Sequence, residues 1–251
     1  PLPKAVVAHG WFTFNDAKMS KSIGNVLTHT QIRDFFASHQ CPAELAVDAL
    51  RFSLIRSLPF ETDTNFTLDE IARNYNADLA NDLGNALNRT LSMVHKFVEG
   101  VVPEAEPDAA MVDFVGRQKA EVEAHFASRR LNLALGSSLE CIRELNRYIQ
   151  DAKPWDLAKN ADSRLAPVLA TMLYLLRSSE GLIRPFIPRA ADELARQLGY
   201  TPEQRTNSWG QIGDPATLNS GAKVLEPSPM FPRIDLKLME QSSAPAPTEK
   251  K

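Results

Sequence analysis

Cysteine is scarce in this chain, and so are long apolar runs and an excess of charge of either sign. The two cysteines, Cys41 and Cys141, lack the spacing of a zinc site or a disulfide framework. Such sparse cysteine fits a reducing compartment, so we expect a cytoplasmic protein without zinc. No apolar run reaches the roughly 18 residues of a membrane span, and no secretory signal is visible. The net charge of −3 excludes a broadly basic nucleic-acid coat, although local patches can still bind phosphate.

The remaining composition is that of an ordinary folded protein. Its 251 residues are 43% hydrophobic and 8% aromatic, which is enough for one large or two modest domains with a sizeable core. Disordered and fibrous classes are excluded. The chain begins at Pro1, inside a strand-like run, and we therefore expect it to be a piece of a longer protein.

Helical periodicity dominates the chain after a short strand-like start at 1–14 and a loop at 15–29. Thr67, with Glu70 three residues on, forms a capping-box pattern that opens a long helix to about Glu99. Its apolar stripe comprises Leu79, Leu83, Ala86, Leu87, Val94, Phe97 and Val98. Similar patterns begin near residue 31 and cover about 42–56, 108–127, 131–152, 154–155, 164–187 and 188–198. The predicted fold is mainly α, an antiparallel helix bundle preceded by a short β/loop segment.

The segment Lys18-Met19-Ser20-Lys21-Ser22 carries the most specific chemistry of the sequence. Two ammonium groups three residues apart, with hydroxyl groups between and after them, suit a mobile loop that grips a polyphosphate. A solvated turn is the structural alternative. The segment resembles the KMSKS signature loop of class I aminoacyl-tRNA synthetases, which closes over ATP during amino-acid activation.

Two other places could contact RNA. Asn85 and Arg89, with Asn81 and Ser92, fall on the polar face of the long helix, where an amide and a guanidinium suit unstacked bases. Trp155 follows Pro154 at a helix start, where an exposed indole could stack on a base. From the residues alone, a solvated helix face and a tryptophan that anchors two helices are the more common explanations.

Taken together, these motifs resemble the C-terminal part of bacterial-type methionyl-tRNA synthetases. The matching segments are Lys18–Ser22 with Gly24-Asn25, Asp48–Phe52, Asn81–Asn85 with Arg89, Asn146–Tyr148 leading to Lys153-Pro154-Trp155, and Phe231–Ile234. The resemblance implies that Asn85, Arg89 and Trp155 contact the CAU anticodon of methionine tRNAs. It also implies that Lys18, Met19, Ser20, Lys21 and Ser22 bind ATP phosphates, with Lys18 and Lys21 catalytic and Lys21 the stronger candidate at the transition state.

The resemblance further implies a division of the chain. Residues 1–30 would end a catalytic domain, 31–66 would form a stem-contact-like connector, 67–232 an anticodon-binding bundle and 233–251 a tail. The partners would be tRNA(Met), ATP with Mg²⁺, and methionine, the last two held mainly by an upstream core. That core's HIGH motif, nucleotide-binding fold, methionine pocket and zinc-bearing insert do not occur in these residues. We therefore expect the chain to be inactive alone, and we leave its oligomeric state open.

Three other interpretations remain open at this point. The chain could be a stand-alone tRNA-binding module without catalysis. It could be a piece of another class I synthetase, such as the cysteine, isoleucine, valine or leucine enzyme. A purely structural helical protein would leave the KMSKS segment without an explanation.

Overall fold

The computed structural model of the chain describes residues 2–3, 5–14, 16–20, 22, 26–57, 59, 62–204 and 209–236. The protein is mainly helical with a small sheet near its amino terminus, which confirms the predicted fold class. The strands are β1 (Phe12–Phe14), β2 (Ala17–Lys18) and β3 (Thr64–Phe66). The α-helices are α1 (His29–Ser38), α2 (Ala43–Ser57), α3 (Leu68–Asn74), α4 (Gly84–Val98), α5 (Ala109–Ala127), α6 (Leu131–Ala152), α7 (Pro154–Lys159), α8 (Leu165–Ile183) and α9 (Pro188–Gln197). Within the described ranges, no helix combines the length and apolarity that crossing a bilayer requires.

The sheet has the order β2-β1-β3, and it differs from the predicted strand and loop boundaries. β1 pairs antiparallel with β2, so Lys18 lies opposite Thr13 in a strand and not in the loop predicted at 15–29. The turn between β1 and β2 is held by a residue outside this hairpin. The Asn65 amide donates to the Asp16 carboxylate at 2.8 Å, while the Asp16 N–H donates to the Asn65 side chain. Asn65 belongs to β3, which pairs in parallel with β1 in a stretch predicted as a connector. These distant contacts are absent from the local sequence pattern.

Helix α2 lies in the chain between β2 and β3, and it is hydrogen-bonded to the end of the bundle where α8 meets α9. Its Asp48 side chain is buried, and Oδ2 accepts a 2.8 Å hydrogen bond from the Ala190 N–H in the first turn of α9. Arg51 donates to the Phe186 carbonyl at 2.8 Å and the Pro185 carbonyl at 3.2 Å. A carboxylate beside unsatisfied N–H groups at a helix start is a favourable pairing. The Asp48–Phe52 motif is therefore a tether between α2 and the α8–α9 corner.

The long helix predicted from residue 67 to about 99 is continuous but not uniform. The Thr67 hydroxyl accepts from the Glu70 N–H at 3.1 Å, which is one half of the predicted capping box. Between α3 and α4 the helix takes up π geometry over Tyr75–Leu83. Such segments widen the helix by one residue per turn and are frequent near functional sites. A 3.6-residue pattern does not distinguish them from α-helix.

Helix α8 lies at the centre of the bundle, as its apolar sequence predicted. It packs against α4, α5, α6, α7 and α9, and residues 169–183 are all buried. The helix ends at Ile183 and not at Ile187 as predicted. Ile187 leaves helical geometry with φ −130° and ψ 72°, because the residue before a proline is disfavoured in the α region.

The segment after α9 crosses the bundle and returns to the π-helix. Gln197 exchanges two hydrogen bonds of 2.9 Å with the backbone of Ser228. At the far end the Asn76 side chain exchanges bonds of 2.8 and 2.9 Å with the backbone of Ile234. Ile234 is 1% exposed, although the predicted tail begins at residue 233. Residues 237–251 of that tail lie outside the described residues.

Candidate nucleic-acid interface

Asn85 and Arg89 lie one turn apart in the first half of α4. Asn85 is exposed and Arg89 is half-buried. The opposite side of the helix carries Ala86, Leu87, Thr90, Leu91 and Val94, all buried in the bundle. Residues four apart on a helix share a face. The amide and the guanidinium therefore both project from the side of α4 that is turned away from the core.

Trp155 is exposed because of the way α7 begins. Lys153 is the single residue between α6 and α7, and it adopts the left-handed conformation with φ 46° and ψ 59°. Pro154 then occupies the first position of α7, where its missing N–H is harmless. Pro154 and Leu157 face the core, so the intervening Trp155 is turned outward and is 40% exposed. This indole does not join two helices in the interior.

The two helices that bear these three side chains, α4 and α7, are in contact. Helix α7 packs against α4 as well as against α8. An exposed amide, a guanidinium and an exposed indole therefore occur on two helices in contact. That these three side chains contact anticodon nucleotides stays a prediction from the resemblance.

A polar cluster that joins α2, the π-helix and α6 was not predicted. Asp78 of the π-helix is buried and accepts from Arg56 of α2 at 2.9 Å and from Arg143 of α6 at 2.8 Å. Arg143 also pairs with Glu140 at 2.6 Å. Burial alone would lower the pKa of Arg143, but the Glu140 and Asp78 carboxylates raise it. The connector helix, the π-helix and the bundle thus share one ion-pair network.

A second contact joins α6 to the end of the π-helix. The Asn146 side-chain amide donates to the Asp82 main-chain carbonyl at 3.0 Å. Burial raises the pKa of the Asp82 carboxyl group, and the nearby Arg143 charge opposes that rise. Both residues lie in motifs noted in the sequence, but nothing in the sequence pairs them.

In the part of the signature segment that the structure describes, Lys18 and Ser22 are exposed and Met19 and Ser20 are half-buried. Lys18 is exposed at the end of β2, with its ammonium group 5.2 Å from the centroid of the Trp11 ring. The Ser20 and Ser22 hydroxyls share a 2.8 Å hydrogen bond. An apolar groove of about 500 Å³ lined by 7–12, Lys18 and Met19 runs alongside. Lys21, Gly24 and Asn25 lie outside the described residues.

These groups suit phosphate oxygens and not a metal ion. Ammonium and hydroxyl groups donate hydrogen bonds to anions, whereas Mg²⁺ takes carboxylate and carbonyl oxygens. In the portion of the chain with described coordinates, no group of three or more histidine, cysteine, aspartate or glutamate residues could hold a metal. We therefore assign no Mg²⁺ ligand to this segment.

Two family models match the chain. The model described as tRNA synthetases class I (M) matches residues 1–91. The model described as the anticodon binding domain of methionyl tRNA ligase matches residues 102–244. The second match alone covers more than half of the chain.

Individual proteins agree with the family models. Methionine–tRNA ligase 1 of Bacillus anthracis is 37% identical over 265 residues, covering 100% of this chain and 39% of its own length. Methionine–tRNA ligase of Listeria monocytogenes is 36% identical over 264 residues, covering 99% and 38%. The Mycobacterium tuberculosis methionyl-tRNA synthetase in complex with methionyl-adenylate superposes with a TM-score of 0.79 at 31% identity, covering 93% and 45%. The chain thus spans less than half of these relatives.

Proposed function

Because this chain belongs to the methionyl-tRNA ligase family, we propose that it reads the CAU anticodon of tRNA(Met). It does so as part of an enzyme that activates methionine with ATP and transfers it to that tRNA. The observation that carries the proposal is the exposed Trp155 on a helix packed against the helix of Asn85 and Arg89. An indole exposed beside an amide and a guanidinium offers a face on which an unstacked base can stack.

The three side chains offer complementary ways to hold unstacked bases. Asn85 presents a donor and an acceptor that match a base edge. Arg89 is half-buried, so its stem is supported while its planar guanidinium can stack on a base or donate to it. Trp155 supplies a flat apolar face that any base can stack upon. Sequence preference then comes from the amide and guanidinium, and affinity comes largely from stacking.

A titration with RNA stem-loops tests this proposal. The 251-residue chain is expected to bind a CAU stem-loop at least about tenfold more tightly than stem-loops with one anticodon base changed. Fluorescence anisotropy at fixed salt measures the affinities, and the salt must be held constant because backbone contacts depend on it. Equal affinities would contradict CAU reading, and a preference for another anticodon would favour a different class I synthetase.

We propose for the segment Lys18–Ser22 the role of binding ATP phosphates during methionine activation. Lys18 and Lys21 supply the charge, and the hydroxyls of Ser20 and Ser22 lie within one hydrogen bond of each other and can turn toward the same anion. A positive charge beside the leaving pyrophosphate lowers the activation barrier most when its interaction with the phosphate oxygens is strongest in the transition state. Mg²⁺ would accompany ATP on ligands outside this segment. The 251-residue polypeptide by itself is expected to show no ATP–pyrophosphate exchange.

Replacing Lys21 by alanine in the full-length enzyme tests the phosphate role. The expected result is a lower rate of ATP–pyrophosphate exchange, by about 10²-fold or more, with the KM for methionine nearly unchanged. Lys96→Ala, on the exposed side of α4, is the matched control. A Lys21 variant impaired only in methionine affinity would refute this role.

A further inference from the structure

We propose that Asn146 is a positioning residue for anticodon reading: its amide fixes the end of the π-helix and thereby the direction of Asn85. The proposal rests on the proposed function, since Asn85 is taken to contact a base. Asn146 itself is a helix–helix contact and is not assigned to the RNA.

The π-helix makes the direction of Asn85 sensitive to its surroundings. It ends at Leu83, and Asn85 is the second residue of the α-helix that follows. At this transition the Gly84 N–H donates to both the Leu79 and Asn81 carbonyls, so π-type and tighter hydrogen bonds coexist. A register shift by one residue would turn Asn85 to a different side of α4. Contacts from outside the helix must therefore select the register.

Other contacts hold the beginning and middle of the π-helix. The Tyr75 hydroxyl donates to the Pro232 carbonyl at 3.0 Å, and Asn76 is bonded to Ile234. Asp78 is held by arginines of α2 and α6. Asn146 acts further along, on the carbonyl of Asp82, three residues before Asn85. Its position suits it to fix the final turn.

The same side chain also relates Asn85 to Trp155. Asn146 lies on α6, which ends at Ala152 and passes through Lys153 directly into α7. The bond from Asn146 to Asp82 therefore joins the helix that leads to the indole to the helix that leads to the amide. The distance between the two base-contacting groups depends on this junction.

Binding by Asn146 variants of the 251-residue chain tests the inference. In Asn146→Ala the preference for a CAU stem-loop over single-base variants is expected to fall by about tenfold, the measure of one lost hydrogen bond. Asn146→Asp should fall at least as far, because it turns a donor into an acceptor facing a carbonyl. Asn146→Gln keeps the donor and should recover part of the preference.

Ser138→Ala is the matched control. Its buried hydroxyl donates to the Ala134 carbonyl within α6 and does not reach the π-helix. This variant removes a hydrogen bond that lies within α6 and should keep the CAU preference. A folded Asn146→Ala variant with unchanged preference would overturn the inference. If Asn146→Ala does not fold, the comparison of Asn146→Asp with Asn146→Gln decides: a lower CAU preference in the Asp variant than in the Gln variant supports the inference, and equal preference in the two folded variants refutes it. A wild-type chain without CAU preference would instead refute the proposed function.

Discussion

Replacing Trp155 by alanine is expected to weaken binding of a CAU stem-loop by about 1–3 kcal/mol, roughly fivefold to more than a hundredfold. The indole is 40% exposed and does not belong to the buried hydrophobic core. Pro154 and Leu157, its neighbours in α7, face inward and keep the helix in place. The variant should therefore fold normally and lose the stacking surface alone.

The control for this prediction is Trp11→Ala. Trp11 is another exposed tryptophan, 69% accessible, and it directly precedes β1 and does not lie on α4 or α7. Its removal should leave stem-loop affinity unchanged. Anisotropy titrations measure binding, and circular dichroism confirms that both variants are folded. A folded Trp155→Ala variant with wild-type affinity would remove the indole from the interface.

The largest loss of stability is expected from Glu180→Ala, about 3–5 kcal/mol. The Glu180 carboxylate is fully buried in α8 and accepts from Arg177 at 2.7 Å and from Arg184 at 2.7 Å. Arg177 is itself 2% exposed and stacks on the Tyr200 ring at 3.9 Å. Removing the carboxylate leaves guanidinium charge in the bundle centre with its main acceptor gone.

Urea denaturation of Glu180→Ala measures this loss directly. Asp34→Ala is the control, because its pairing with Arg33 at 2.7 Å is solvent-exposed on both sides. Exposed pairs contribute about 0–1 kcal/mol. Comparable midpoints for the two variants would show that the buried ion pairs do not hold the bundle together.

The helical framework could be predicted from sequence because its signals are local. Helix α6 runs over Leu131–Ala152, the range that its apolar spacing predicted. Asp108 caps α5 with a 2.8 Å bond to the Ala110 N–H, at the predicted helix start. An apolar stripe and a cap act within a few residues of one another. The helices that these local signals predict are therefore present in the folded chain.

The features that were missed arise between distant residues. The π-helix is held by the segment ending at Ile234, by Arg56 and by α6, none of which its own sequence reveals. Lys18 enters a strand because Asn65, far along the chain, fixes the preceding turn. The burial of Ile234 likewise depends on Asn76. Tertiary contacts overrode the local pattern in each case.

The candidate site was named by resemblance more than by physical pattern. On periodicity alone, Asn85 and Arg89 could have been an ordinary solvated face, and Trp155 a packing residue. The fold supplies what the sequence could not, namely the packing of α7 on α4 and the outward turn of Trp155. Asn146 was noted only as part of a motif, since its partner is a main-chain carbonyl with no sequence signature.

The most direct measurement of the central claim is the fluorescence of Trp155 during a stem-loop titration. The chain has three tryptophans, so Trp11→Phe with Trp209→Phe leaves Trp155 as the only indole. If a base stacks on this ring, a CAU stem-loop quenches the emission with the same midpoint as the anisotropy change, and a stem-loop with an altered anticodon does not at that concentration. Emission that stays constant while the CAU stem-loop binds would contradict the account.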